Sequence, residues 1–312
     1  MLIIWFTGLK KSINMNFRYK AILQNIFSKM PLGEEANYVF QRHISRSLPV
    51  SDNEFIGRVS GFYERFQAWQ RAGVTTNSYF EFGSGWDLIA PLTFRFLGFQ
   101  RLICVDLRTL IRPELIRHTL QTFHRLRHQL PFDVPDFKIP LKLTTDTLQQ
   151  EFQIEYRSPV DAAHTDIAAD SIDIIFSNNV LEHVPLSSIL PIFQECCRTL
   201  KPGGLCDFVI DYQDHWSYFD RSIGIYNFLH YDESNWRKWN PSLHFQNRLR
   251  HCDFTNLIET SGLSIDEAIA FSANEADWQR LLSKGIADEF RNRYSDEELQ
   301  VPVGLFRLSK GI

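Results

Sequence analysis

The chain has 312 residues, of which 44% are hydrophobic and 22% charged, and its formal net charge is −4. Those proportions exclude a disordered chain and collagen-like or coiled-coil fibres, and the negative balance excludes a protein built mainly to hold nucleic acid. Aromatic content is high at 14%, with 26 Phe, 10 Tyr and 7 Trp, which supplies rigid surface for cores and for pockets that take flat or ring-shaped ligands.

The N-terminal part is locally basic. Residues 1–72 hold ten Lys and Arg against five Asp and Glu, a surplus that reads either as a solvated helical face or as a face for anionic lipid or an acidic partner. The apolar opening from Met1 to Phe6 ends at Lys10 and Lys11, about half the ~20 residues a bilayer span needs. Its positive charges follow the apolar run, the reverse of a secretory signal. We therefore expect a loosely docked N-terminus and no transmembrane span, with peripheral membrane contact left open. The cysteines are Cys104, Cys196, Cys197, Cys206 and Cys252. Their odd number and lack of any CxxC pair indicate neither a disulfide framework nor a zinc knuckle, and fit a reducing cytoplasm.

Residues 16–72 read as a helical extension, with apolar Ile22, Leu23, Ile26 and Phe27 at helical spacing and breaks at Pro31–Gly33 and Leu48-Pro49. A second amphipathic stretch, Glu54 to Gln70, puts Phe55, Val59, Phe62, Phe66 and Trp69 on one face before Gly73. From residue 73 onward short strands and helices alternate. Strands are expected at Tyr79–Phe82, Arg101–Asp106, Ile154–Val160, Ile172–Phe176, Leu205–Ile210, Leu263–Ala270 and Val303–Leu308. Helices are expected at Asp87–Leu97, Pro113–His128, Ser187–Leu200 and Phe254–Ser261. Such alternation means a mostly parallel sheet covered on both faces.

Polar clusters stand at successive strand ends. Glu81-Phe82-Gly83-Ser84-Gly85 follows the first strand and opens a helix, so a ligand can approach the backbone and meet free N–H groups. A dinucleotide fingerprint needs a third glycine at position 88, where Leu88 stands. Asp106 closes the second strand, well placed to accept from two ribose hydroxyls or to cap a helix. Asp161-Ala162 follows the third strand. Ser177-Asn178-Asn179 and Leu181-Glu182-His183-Val184 follow the fourth. In an open parallel sheet these ends line one crevice.

These motifs resemble those of the class I S-adenosylmethionine-dependent methyltransferases, close to the group with a type 11 methyltransferase domain. The resemblance runs from Ser78 to Ile210 and includes the block Asp161–Asp173 and the helix ending Arg198-Thr-Leu-Lys-Pro-Gly-Gly204. It implies an α/β, Rossmann-like open sheet of seven strands with the last antiparallel, and with the residue reading it divides the chain into an N-terminal helical extension (1–72) and a methyltransferase domain (73–312) with an insertion after the fifth strand. It also implies S-adenosylmethionine as cofactor. Glu81, Phe82, Gly83, Ser84 and Gly85 would shape the loop around its methionine part, Asp106 would hold the ribose, Asp161 and Ala162 would meet the adenine, and Asn178 would lie beside the amino group and methyl. Trp86-Asp87 departs from the family, where a further glycine is common; Asp87 reads as a helix cap.

Methyl transfer is an in-line displacement, so the protein aligns the partners and, for a hydroxyl acceptor, removes a proton. No metal is needed, and no His/Asp set shows metal-ligand spacing. His215, four residues beyond Asp211, is a candidate base or a bystander. His183 is a candidate base or a packing histidine, and Asp211 orients His215 or binds substrate. The insertion 212–250 carries ten aromatics and overhangs the cofactor edge, so it reads as a lid and acceptor wall or as a satellite core. Within it, Arg248 and Arg250 read as anion-neutralising or surface charges. The expected reaction is methyl transfer to a small-molecule or glycan-type hydroxyl, without nucleic acid. The alternatives are a non-catalytic cofactor-binding module and a nicotinamide-dependent oxidoreductase, which Leu88 disfavours.

Overall fold

The computed structural model describes residues 16–30, 33–39, 42 and 48–310. The expected loose start at Met1–Lys11 and the break at Pro31-Leu32 lie outside the described residues. Seven strands form one sheet: β1 (Ser78–Phe82), β2 (Arg101–Val105), β3 (Ile154–Arg157), β4 (Ile172–Asn178), β5 (Leu200–Asp211), β6 (Leu263–Ala270) and β7 (Val303–Lys310). Their order is β3-β2-β1-β4-β5-β7-β6. The pairs from β3 to β5 are parallel, and β7 runs antiparallel to both β5 and β6. This is the expected open sheet with an antiparallel last strand. The chain reverses its winding between β1 and β4, so a crevice opens at their carboxyl ends.

Twelve α-helices accompany the sheet among the described residues: α1 (Phe17–Phe27), α2 (Gly33–Val39), α3 (Asp52–Arg71), α4 (Ile89–Phe96), α5 (Pro113–Leu126), α6 (Thr145–Phe152), α7 (Leu186–Thr199), α8 (Glu233–Trp236), α9 (His251–Glu259), α10 (Glu275–Lys284), α11 (Asp288–Arg291) and α12 (Asp296–Gln300). Helices α3 to α6 cover one face, packing on Tyr79, Leu102, Ile174 and Phe176. Helices α7 and α9 cover the other, on Phe80, Ile103, Ile175 and Phe208. The alternation of side chains along each strand feeds both cores at once.

Helix α3 begins at the Ser51 cap and buries the five predicted apolar residues. Trp69 meets the rings of Phe94, Phe99 and Phe176 at 5.0, 6.4 and 6.1 Å. The same face carries a charge. Arg65 is buried and pairs with the carboxylate of Asp207 on β5. Its Nη2 also donates to the Asp207 carbonyl at 3.1 Å, and Trp69 Nε1 donates to Asp207 Oδ2 at 2.5 Å.

At the opposite, amino end of the strands, Asp173 ties β4 to β1. Its Oδ2 accepts from the Ser78 amide and hydroxyl, each at 2.7 Å, and its Oδ1 from Lys201 Nζ at 2.8 Å. Burial raises the Asp173 pKa, but the lysine and serine donors outweigh it and leave the carboxyl below its ordinary value. This acid of the Asp161–Asp173 block is a clamp far from the crevice.

Several boundaries differ from expectation for local reasons. The helix expected from Asp87 starts at Ile89, because Leu88 adopts a left-handed conformation (φ 52°). Strand β5 begins at Leu200, running back through Lys201-Pro-Gly-Gly204 along β4, and β3 stops at Arg157. Helix α6 was not foreseen, since only Leu148 and Phe152 anchor it; a reciprocal Thr144–Thr147 cap starts it. Helix α10 starts at an Asn274 cap and buries only Trp278 and Leu281.

Of the apolar positions read on α1, Leu23 and Phe27 are half-buried but Ile22 and Ile26 face the other way. Ile22 and Ile26 are 49% and 52% exposed, while Phe17, Lys20, Ala21 and Gln24 are buried. The helix docks through Phe17 against Trp216 and Trp239, with the Lys20 ammonium over the Phe219 ring. Lys20 and Arg65, both part of the local basic surplus, are thereby withdrawn from the surface. Tyr226, Phe228 and Trp236 of the insertion join Phe17, Trp278, Phe290 and Leu299 in a third core. Most of the aromatic surplus at 212–250 is therefore a satellite core rather than an acceptor wall. Arg248 and Arg250 belong to its frame. Arg248 donates to the carbonyls of Phe228 and Tyr231 and pairs with Glu233 and Glu289. Arg250 donates to the carbonyls of Tyr212, Leu299 and Val301. Neither lies open to an anionic acceptor.

Candidate active site

The loop after β1 is tied to the end of β2 by the Gly83 amide, which donates to the Val105 carbonyl at 2.9 Å. Gly83 and Gly85 both have positive φ, 77° and 73°. A Cβ on Gly83 would sit 2.4 Å from Val180 Cγ2, whereas a Cβ on Gly85 would meet nothing within 4 Å. Gly83 thus permits the close approach of the segment after β4, and Gly85 leaves the space over the loop clear. Gly83→Ala is expected to cost about 2 kcal/mol, from the left-handed backbone and the displaced valine. Urea unfolding measures this, and an unchanged midpoint would show that the loop relaxes freely. Next along the loop, Trp86 packs on Tyr38 of α2, with ring centroids 5.1 Å apart. Leu88 takes the N-cap position in place of Asp87, which stands one residue earlier with its Oδ1 accepting from the Ile89 amide at 3.3 Å.

Glu81 is buried, and neither its Oε2 nor Ser84 Oγ has a hydrogen-bond partner. Burial pushes the Glu81 carboxyl up to about 8, with Asp106 and Asp87 adding to the rise and Tyr79 and Ser84 opposing it. Asp106 is buried at the end of β2, and Tyr156 donates to its Oδ2 at 2.8 Å. Its carboxyl is pushed up to about 7, chiefly by burial, against the pull of Tyr156, the Gly85 and Ser84 amides and Arg108. The Asp106 carbonyl accepts from the Val160 amide at 3.0 Å, which sets the loop bearing Asp161 and Ala162 against this strand end. Asp161 is exposed, with its Oδ1 accepting from Ala163 at 2.9 Å, and Ala162 is half-buried.

Asn178 ends β4, and its Oδ1 accepts from Arg65 Nη1 at 3.0 Å. The reading of the sequence did not include Arg65. The visible signal is an arginine inside the apolar face Phe62–Trp69, where an unpaired charge would not be tolerated.

Beyond Asn178 lies a second polar cluster. Glu182 and His183 occupy a short 3-10 turn (Leu181–His183), Asp211 ends β5 and His215 follows it. His215 Nε2 stands 3.3 Å from Asp211 Oδ2 and 4.0 Å from Glu182 Oε1. The His183 and His215 rings are 4.9 Å apart, and the Tyr218 ring stacks on His215 at 5.3 Å. Tyr218 donates to Asp211 Oδ2, and the Gln213 amide donates to its Oδ1 at 2.9 Å. Burial lowers the His215 pKa, but Asp211 and Glu182 together outweigh it and leave the imidazole above its ordinary value. Burial pushes His183 down to about 4, with the charge of His215 adding to the effect.

The insertion is strapped onto this turn. The Asn247 amide donates to the Glu182 carbonyl at 2.9 Å, and its side chain donates to Leu181 and Val184 at 2.8 and 2.9 Å. His183 Nδ1 donates to the Phe245 carbonyl at 2.6 Å. All three predicted catalytic residues therefore stand in one cluster, together with Glu182, whose place in it was not foreseen. Separation along the chain, from 182 to 215, hid the grouping.

Residues 141–208 match the family described as a methyltransferase domain, on a sheet of order β3-β2-β1-β4-β5-β7-β6. The chain carries a methyltransferase-domain signature at these residues. No curated protein matches the chain in sequence. Similar solved structures include a sarcosine dimethylglycine methyltransferase from Galdieria sulphuraria, 17% identical, with a TM-score of 0.44 over 80% of this chain and 85% of that one. An S-adenosylmethionine-dependent methyltransferase from Clostridium acetobutylicum is 10% identical, with a TM-score of 0.45 over 89% and 99%. A phosphoethanolamine N-methyltransferase from Haemonchus contortus is 15% identical, with a TM-score of 0.43 over 84% and 61%. The residues at the strand ends fit S-adenosylmethionine, the cofactor that the sequence resemblance implies. Unpartnered Glu81 Oε2 and Ser84 Oγ, the open space at Gly85 and the carboxylate of Asp106 all stand along one strand-end crevice. Among the described residues, no helix is long and apolar enough to cross a membrane.

Proposed function

We propose that the methyltransferase domain methylates a hydroxyl of a small-molecule or glycan-type acceptor, held where Asp211, His215 and His183 converge. Glu81 to Gly85 hold the methionine part of the cofactor, Asp106 its ribose, Asp161 and Ala162 its adenine, and Asn178 its amino end. Bound there, S-adenosylmethionine supplies an electrophilic methyl on a sulfonium. Val180, packed against Gly83, makes the turn bearing Glu182 and His183 the direct neighbour of that loop. His215 takes the proton from the acceptor hydroxyl as its oxygen bonds the methyl carbon and the sulfonium becomes a thioether. Asp211, fixed by Tyr218 and Gln213, orients the imidazole. Residues 212–250 close over this end through Asn247 and Phe245, and the domains divide at residues 1–72 and 73–312. The five cysteines, all free, support placement in a reducing cytoplasm.

The observation that carries this reading is the buried His215–Asp211 contact at the carboxyl end of β5. A panel of hydroxyl-bearing and amine-bearing acceptors tests it, with mass spectrometry detecting products heavier by one methyl. Turnover of hydroxyl acceptors is expected to fall on the order of 100-fold or more in His215→Ala, with cofactor affinity kept. Turnover of amines alone, or full activity in the variant, would overturn it.

A further inference from the structure

We infer that Glu182, His183 and His215 form a binding site for a divalent transition cation of the zinc or manganese kind. Each offers one ligand atom, and the three atoms lie within 4.8 Å of one another. Tetrahedral ligands on bonds of about 2.0–2.2 Å stand roughly 3.3–3.6 Å apart, so the widest pair has to close by about an ångström to share one ion. Two imidazoles and a carboxylate suit borderline cations better than calcium or magnesium, which take oxygen donors.

Two independent observations point to a positive ligand. Glu182 is 2% exposed, and both its carboxylate oxygens lack a hydrogen-bond partner. A buried carboxyl with no donor is costly, and a cation at its oxygens removes that cost. The second is the orientation of His183. Its Nδ1 proton is engaged by the Phe245 carbonyl, which leaves Nε2 as a bare lone pair, the tautomer a metal ligand needs. The charge around the triad agrees, because Asp211 lies 3.3 Å from His215 Nε2 and brings a second carboxylate to the same cluster.

The use of the cation rests on the reading that this cluster receives the acceptor; its binding does not. His215 serves as the base in the cation-free protein; with the cation in place its lone pair is committed. The acceptor oxygen then binds the ion, which acidifies the hydroxyl, and its proton passes to Asp211 instead of His215.

The test is a titration of the full chain, freed of metal by dialysis against a chelator, with Co²⁺ alone, followed by visible absorption. One equivalent is expected to bind with ligand-field bands. Affinity is expected to be at least tenfold weaker in Glu182→Gln, which keeps the side-chain shape, and in His183→Ala. Thermal unfolding without metal confirms that both variants are folded. Failure of the wild type to bind one equivalent would overturn the inference, as would equal binding by wild type and both folded variants. The titration contains neither cofactor nor acceptor, so its failure leaves the methyl-transfer reading untouched, and the acceptor panel fails or succeeds separately.

Discussion

Arg65→Ala is expected to destabilise the protein by about 3–5 kcal/mol, the usual consequence of stranding a buried partner charge. Asp207 is fully buried, and Arg65 is its closest cation, with Arg307 at 3.5 Å. Trp69 Nε1 would remain, but one indole donor does not neutralise a carboxylate. The guanidinium also lies over the Phe176 ring at 4.3 Å, so its removal leaves a gap between α3 and the sheet. The variant should unfold at lower urea. A double variant, Arg65→Met with Asp207→Leu, should recover much of the loss, because it removes both charges and refills the space. A loss below about 1 kcal/mol in Arg65→Ala would show that Arg307 and the indole suffice. Arg65 also holds Asn178, so the double variant should recover stability before cofactor affinity.

Asp106→Ala is expected to weaken cofactor binding by about 100-fold or more, since it removes an acceptor for two charge-assisted hydrogen bonds. Isothermal titration with S-adenosylhomocysteine measures this. A pH dependence accompanies it. The Asp106 carboxyl sits near 7 in the free protein because burial raises it, and Tyr156, Arg108 and the loop amides only partly offset the rise. A ribose that donates both hydroxyls needs the ionised form. Affinity should therefore rise from about pH 6 to 8, by up to about tenfold per unit on the acid side of 7, and Asp106→Asn should flatten that rise. Stability of the cofactor-free protein moves the opposite way. Asp106 and Glu81, at about 7 and 8, bind protons more tightly folded than unfolded. Their contribution is complete below the unfolded carboxyl range near 4 and is lost as pH climbs through 7 to 8. Melting temperature should accordingly fall between about pH 5 and 8, and a rise over that window would contradict the assignment.

The sheet was legible because each strand is a run of apolar or alternating residues closed by a polar cluster, and those clusters mark the crevice. Phe55 to Trp69 likewise announced α3 through their spacing. What stayed hidden depends on contacts between distant segments. Arg65 looks like any helical arginine until Asp207, on β5, comes opposite it. Glu182 joins His215 only because the insertion is strapped onto the turn through Asn247. On α1, spacing marked Ile22 and Ile26, yet docking on Trp216 selected the Phe17 side. Helices α10 to α12 stayed hidden for a related reason: their few apolar residues complete the third core only when α1 and the insertion supply the rest.

The most direct measurement is a crystal structure of the full chain with S-adenosylhomocysteine. The ribose is expected on Asp106, the adenine beside Asp161 and Ala162, and the sulfur turned past Asn178 toward His183, His215 and Asp211. An adenosyl group lying elsewhere, or a sulfur facing away from that cluster, would contradict the placement of both the cofactor and the acceptor.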